Sequence, residues 1–296
     1  MDQFDPSHEA FFEFTERPFS LTADPRYHFL SRSHSRAFEA LSAGLGRGER
    51  LLQVSGDLGV GKTTLCRALV ASLTARTRTA LVADALLSSE DLLRLVLQDL
   101  GVVTKDDVKG GRLARANLLE LIRLLDESLR RDGPDAHAAV VVVDEAHRLP
   151  ATTARQIVAM TSRQMRGRPL LQIVLAVQPS VGGAPALPAT LDQYVSTRAR
   201  ILALERDECE RYLTHRLEVA CGGAAITFDP RAIEAIHELS GGVPRLVNLI
   251  AERALREAAT TRTRRVERSM VEAAAIALAV LRARPRRFRW FGSRAS

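Results

Sequence analysis

Between an apolar run, Leu51 to Ser55, and an amphipathic stretch opening near Thr63 lies Gly56-Asp57-Leu58-Gly59-Val60-Gly61-Lys62-Thr63, followed by Thr64. This G-x-x-x-x-G-K-T segment constrains the fold more than any other feature. It demands a strand, a tight turn whose backbone N–H groups converge, and a helix whose N-terminus faces the same point. Gly56, Gly59 and Gly61 let the chain turn closely enough for those N–H groups, with those of Asp57, Leu58, Val60 and Thr64, to surround phosphate oxygens. Lys62 is then expected on the β and γ phosphates of ATP, and the Thr63 hydroxyl on a Mg2+ ion.

A second segment answers the first. Val140-Val141-Val142-Val143 ends in Asp144-Glu145, which places two carboxylates at the C-terminal end of a buried strand. Open parallel sheets bind ligands along that edge. Asp144 is expected to hold Mg2+, and Glu145 to orient and deprotonate the attacking water. Acids at the start of a following helix are the plain alternative, since they suit the helix dipole. His147 reads as a surface residue or as one that supports the acid pair from behind.

The rest of the pattern fixes the class. Apolar runs at 51–55, 79–83, 138–143, 170–177 and 200–204 alternate with helical stretches at 33–46, 63–74, 89–100, 112–131 and 151–165. Runs that do not alternate polar with apolar imply a parallel sheet covered on both faces. The acid pair directly after its strand implies one further strand between the two motif strands, for which 170–177 is the candidate. Gln178 at its end is placed to touch the γ phosphate or the water, or is simply a loop polar group. After Leu204 only helices are expected, at 207–220, 230–240, 244–259 and 267–282. Gly241-Gly242-Val243-Pro244-Arg245 opens one of them, and Arg245 either reaches the γ phosphate or caps its helix.

The domain plan is thus an N-terminal segment, 1–32, packing on the nucleotide site; an α/β core, 33–205; a helical lid, 206–282; and a basic-aromatic tail, 283–296. The first segment carries Phe11, Phe12, Phe14, Phe19, Tyr27 and Phe29, too apolar to stay solvated; Tyr27 to Leu30 is expected to hold adenine. The tail combines Arg284, Arg286, Arg287, Arg289 and Arg294 with Phe288, Trp290 and Phe291. It suits an acidic membrane surface or a membrane partner. Net charge is +7, but lysine occurs only at 62, 105 and 109, so the arginine surplus reads first as GC-rich coding. No signal-peptide pattern and no apolar run of spanning length is present, so a cytoplasmic protein, peripheral at the inner membrane, is expected. Cys66, Cys209 and Cys221 have no metal spacing and read as reduced structural thiols.

The chain resembles the AAA+ ATPases of the general secretion pathway protein A (ExeA) family, which grade into the transposition ATPases of TniB/TnsC type. The matching residues are Pro18-Phe19-Ser20-Leu21-Thr22-Ala23-Asp24-Pro25-Arg26-Tyr27, the two phosphate-site motifs, Leu171 to Pro179 and Gly241 to Arg245. The resemblance implies P-loop NTPase architecture with a helical lid and self-association into a ring or filament. It also implies an arginine that completes a neighbour's site. Tyr194 stands where the family has its first arginine, so Arg198 is the choice and Arg200 the alternative. A motor or switch for a cell-envelope system, acting on an unidentified protein client, is the first functional expectation. A DNA-associated switch of the transposition type is the second. Secretion-type members continue into a membrane helix and a wall-binding domain; a chain ending at Ser296 is expected to lack that half.

Overall fold

The computed structural model describes residues 7–21, 25–111, 113–133, 136–179, 187–220 and 226–278. The tail from 279, the 180–186 segment and Cys221 lie outside the described residues. The chain forms two compact units, one of residues 30–202 and one of 1–29 with 203–296.

The first unit is an α/β sandwich. Five parallel strands, β1 (Leu51–Ser55), β2 (Thr79–Val82), β3 (Ala139–Val143), β4 (Leu171–Val177) and β5 (Thr197–Arg200), lie in the order β2-β3-β4-β1-β5. β4 therefore enters between the two motif strands, as the acid pair implied. Its register pairs Leu51 with Ile173 and Ser55 with Val177, and Val143 of β3 with Leu175.

All five β3 residues are buried because the sheet is covered twice. Val140 and Val142 face α2 (Arg32–Gly46) and α3 (Lys62–Ser72), joining Leu41, Leu65 and Leu69 in one core. Val141 and Val143 face the other side, with Leu93 and Leu97 of α4 (Ser89–Asp99), Leu121 and Leu125 of α6 (Leu118–Arg131) and Ile157 of α7 (Ala151–Thr161). Each buried valine contributes roughly 1.5–3 kcal/mol of transfer free energy. A Ser or Asp anywhere in β3's interior would break this layer.

Several boundaries differ from the sequence expectation. The helix expected over 112–131 begins at Leu118. Asn117 accepts from the Glu120 N–H and Glu120 returns the bond, a capping box that fixes the start. Thr104 and Asp107 do the same for the short α5 (Lys105–Lys109), in a stretch expected as loop. The last strand is Thr197–Arg200 rather than 200–204; as an edge strand it pairs only with β1 and tolerates alternate charged residues. Here the apolar run lay beyond the strand, not in it. The helix expected over 151–165 stops at Thr161, a two-residue hairpin pairs Gln164–Met165 with Arg168–Pro169, and the short α8 (Ala189–Asp192) precedes β5.

The second unit is built on α9 (Arg206–Ala220), α10 (Pro230–Ser240), α11 (Pro244–Thr260) and α12 (Arg268–Ala277). A parallel bridge between Thr227–Phe228 and Arg265–Val266 departs from an all-helical expectation. The N-terminal segment, expected as a separate piece against the nucleotide site, is a structural part of this unit. α1 (Ser7–Phe12) packs on α11, and Phe12 and Phe19, at 0% and 2% exposure, enter the same core as Leu213, Ile236 and Leu255.

Candidate functional site

The phosphate loop runs from the end of β1 to the first residue of α3, where Gly61 is the N-cap. Two of its glycines are dictated by contact. A Cβ on Gly56 would lie 2.9 Å from the Ile201 carbonyl oxygen, and one on Gly61, at φ 110°, would lie 2.8 Å from His34 Nε2. Between them Asp57 and Leu58 are exposed, while Val60 is buried and anchors the loop. Thr64 follows Thr63 in the first turn of α3, half-buried.

Lys62 is 5% exposed. Its ammonium donates to the Gly56 and Asp57 carbonyl oxygens, at 2.8 and 3.0 Å. Burial pushes its pKa below the ordinary lysine value, opposed by the nearby Glu145, Asp144 and Asp57 carboxylates. A buried ammonium satisfied only by carbonyls of its own loop fits an anionic ligand.

Thr63 Oγ1 donates to Asp144 Oδ2, so the hydroxyl and carboxylate stand side by side. Two adjacent hard oxygen donors, one on a carboxylate 6% exposed, suit Mg2+ completed by phosphate oxygens and water. Among the described residues no cluster of three His, Cys, Asp or Glu side chains forms an all-protein metal cage.

Glu145 has φ 51° and ψ 31°, a left-handed conformation that costs a non-glycine residue about 1–2 kcal/mol. Its N–H donates to Asp144 Oδ1 at 2.9 Å. The turn aims the carboxylate at Gln178, whose Nε2 donates to both Glu145 oxygens at 3.3 and 3.2 Å. The Gln178 N–H donates to His147 Nδ1 at 3.4 Å, which puts the neutral imidazole's proton on Nε2, 3.5 Å from Glu145 Oε2. His147 thus helps hold Glu145, the supporting one of the two places read for it in the sequence. Strain at such a residue is tolerated where neighbours over-determine it.

The remaining candidates are placed differently. Arg198 is held within its own chain: Nη1 bonds Gln53 Oε1 and, at 2.8 Å, Asp192 Oδ1, and Nη2 bonds the Asp192 carbonyl at 2.7 Å. Arg200, in register with Ser55 one residue before the loop, is exposed and has no side-chain partner among the described residues. Arg245 belongs to the helical unit, exposed at the second position of α11. Cys66, behind the loop, is fully buried, and burial pushes its thiol up to about 12, consistent with an inert packing residue.

Comparison with known proteins bears on the family and the fold. A family model described as an AAA domain matches residues 46–183. General secretion pathway protein A of Aeromonas hydrophila is 33% identical over 247 residues, which are 83% of this chain and 44% of that protein. The chain therefore spans less than half of that relative's length. Among solved structures, Cdc6p of Pyrobaculum aerophilum aligns with TM-score 0.68 at 17% identity, over 92% of this chain and 75% of that one. The ORC2 protein of Aeropyrum pernix gives 0.63 at 17%, over 92% and 76%. The RuvB Holliday junction branch migration motor of Thermotoga maritima gives 0.56 at 16%, over 84% and 70%. At these identities the three structures show a shared fold.

Proposed function

The chain belongs to the AAA+ ATPases, and on that premise we propose that it binds ATP with Mg2+ and hydrolyses the β–γ phosphoanhydride. The observation that carries this reading is the joining of Thr63, Asp144, Glu145 and Gln178 in one hydrogen-bonded line beside Lys62. Lys62 neutralises phosphate oxygens, exchanging two loop carbonyls for a stronger anionic partner. Thr63 Oγ1 and Asp144 Oδ2 would hold Mg2+, which would supply neutralisation of the phosphate charge. Glu145 accepts the proton of the attacking water at its carboxylate, and Gln178 and His147 fix where that carboxylate points.

Self-association completes the reading. An arginine on β5 serves a neighbouring subunit's γ phosphate, where charge develops that one lysine and one cation leave partly uncompensated. Arg200 is the better placed, because it is exposed and unpartnered, whereas Arg198 already braces Gln53 and Asp192. Similarity to general secretion pathway protein A supports a motor or switch role in a cell-envelope system, at the cytoplasmic face of the inner membrane, with a protein client.

Turnover measurements test this directly. Glu145→Gln should keep nucleotide binding and lower turnover about a hundredfold; comparable turnover would move the base elsewhere, with His147 first. Mixing inactive Arg200→Ala with inactive Glu145→Gln should partly restore activity, and turnover per subunit should rise with concentration. Full activity of Arg200→Ala at low concentration would remove the trans arginine from β5's end.

A further inference from the structure

His34 belongs to none of the motifs that read phosphate, yet its imidazole reaches into the phosphate loop from the first turn of α2. It is 5% exposed. Its Nε2 stands 3.0 Å from the Val60 carbonyl oxygen and its Nδ1 2.7 Å from Ser31 Oγ. A carbonyl oxygen can only accept, so Nε2 carries the proton and Nδ1 accepts from the Ser31 hydroxyl. Ser31, 1% exposed, also accepts from the His34 backbone N–H at 3.3 Å as the N-cap of α2. The ring is held at both nitrogens, and it fills the space that a side chain on Gly61 would need.

The peptide between Val60 and Gly61 is trans, so its carbonyl and its N–H point in opposite directions. A carbonyl held on His34 turns the Gly61 N–H away from α2. That N–H belongs to the last glycine before Lys62, in a loop whose left-handed Gly61 is otherwise free to adopt many orientations. The same turn of α2 also grips the strand leaving β5: the Leu202 N–H donates to Ser33 Oγ at 3.2 Å, and Ser33 Oγ lies 3.1 Å from Ser31 Oγ.

We propose that His34 is a positioning residue for the nucleotide. Through the Val60 carbonyl it presets the Gly61 N–H for a phosphate oxygen, so the loop is ordered before the nucleotide arrives. Preordering acts on affinity, because binding no longer bears the cost of fixing the loop. It leaves Asp144 and Glu145 untouched, so its effect on the chemical step is small. The inference rests on the reading of the loop as an ATP site.

The test uses the full chain and a fluorescent ATP analogue with Mg2+, read by equilibrium binding, alongside KM and kcat for ATP. His34→Ala and His34→Asn should lose about tenfold in affinity and raise KM similarly, with kcat at saturation within about twofold. His34→Gln should recover most of the affinity, because its Nε2–H can occupy the place of the imidazole Nε2–H. The asparagine amide is too short to reach Val60. Melting curves identify variants that remain folded, and if the alanine variant does not fold, the glutamine and asparagine pair still decides. Wild-type affinity in the asparagine variant would overturn the proposal. Equal losses in the glutamine and asparagine variants would also overturn it, as a purely structural histidine. If the unsubstituted chain binds no nucleotide, the ATP reading itself fails and this inference with it.

Discussion

Lys62 in the α/β unit and Arg216 in the helical unit are both 5% exposed, and their surroundings differ in kind. Among the described residues Lys62 has only two carbonyls of its own loop for partners, with Glu145, Asp144 and Asp57 close enough to act on it by charge alone. Arg216 uses its whole fork. It bonds the Pro18 carbonyl through Nε, the Ser20 carbonyl at 2.9 Å and the Tyr212 hydroxyl at 3.0 Å, and it lies 4.5 Å from the Tyr27 ring centroid. Tyr212 passes the network on to Asn248 at 2.8 Å. A buried cation satisfied in every direction holds a structure together, here the N-terminal segment to α9. A buried cation with weak local partners marks a place that gains most when an anion arrives.

The comparison breaks first at Lys62. Lys62→Ala should abolish ATP binding, a loss of at least a hundredfold in affinity, while the melting temperature stays within a few degrees of wild type. Calorimetric titration with ATP and Mg2+ measures the first, and affinity within a few-fold of wild type would remove the phosphate-loop assignment. Relief from an unfavourably buried charge even favours a small stabilisation of the variant.

Arg216→Ala should show the converse. Removing the guanidinium takes its hydrogen bonds from the Pro18 and Ser20 carbonyls and opens space against two tyrosines, at a cost of about 2–4 kcal/mol in urea unfolding. Arg216→Lys should fall between, because an ammonium cannot reproduce the fork. Inorganic triphosphate, which needs only the phosphate loop, should bind the folded Arg216 variants as it binds wild type. Loss of triphosphate binding in step with stability would erase the distinction between the two buried cations.

The phosphate loop, the acid pair and the inserted strand were legible because their signals are local: glycine spacing, a β-branched run, two acids at a strand end. β5 was misplaced by three residues because Thr197-Arg198-Ala199-Arg200 has the composition of a surface loop, and only its place at the sheet edge makes it a strand. The role of the N-terminal aromatics was half legible. Their apolar character demanded a partner, but choosing α9 depends on Arg216, nearly two hundred residues away, and choosing α11 on the bond between His8 and Glu252. His34 was invisible for the same reason. Its bond to Val60 spans 26 residues and exists only once α2 has packed beside the loop. Motifs that read ligands are written consecutively; the groups that hold those motifs in shape are brought together by tertiary structure.

The smallest expected effect sharpens the comparison from the helical side, through His28. It is half-buried, its Nε2 is enclosed without a partner, and His215 of α9 lies near enough to act on it by charge. Burial first, and His215 second, lower its pKa below the ordinary histidine value. The same helix carries Arg216, a permanent cation, and Tyr212, whose hydroxyl burial pushes further up. The sign follows from linkage. Above the unfolded value of about 6.5, His28 is neutral in both states and its contribution to stability is complete. As pH falls below that value the unfolded chain takes up a proton that the folded unit resists, and stability declines until the folded pKa is passed. Glu252 does not confuse this window. Burial alone would raise its pKa, but His8 and Arg256 more than offset that and hold it below the usual carboxylate range, so its loss comes at lower pH. The melting temperature should therefore be lower at pH 5.5 than at pH 7.5, by a few degrees at most. Amide exchange over Arg206–Ala220 should rise with it. His28→Gln, which cannot titrate, should flatten that pH dependence in α9 and leave the exchange of β1, β3 and β4 unchanged. An unaltered slope in the variant would locate the titration elsewhere. A slope shared equally by the sheet would mean that the two units do not respond to pH separately.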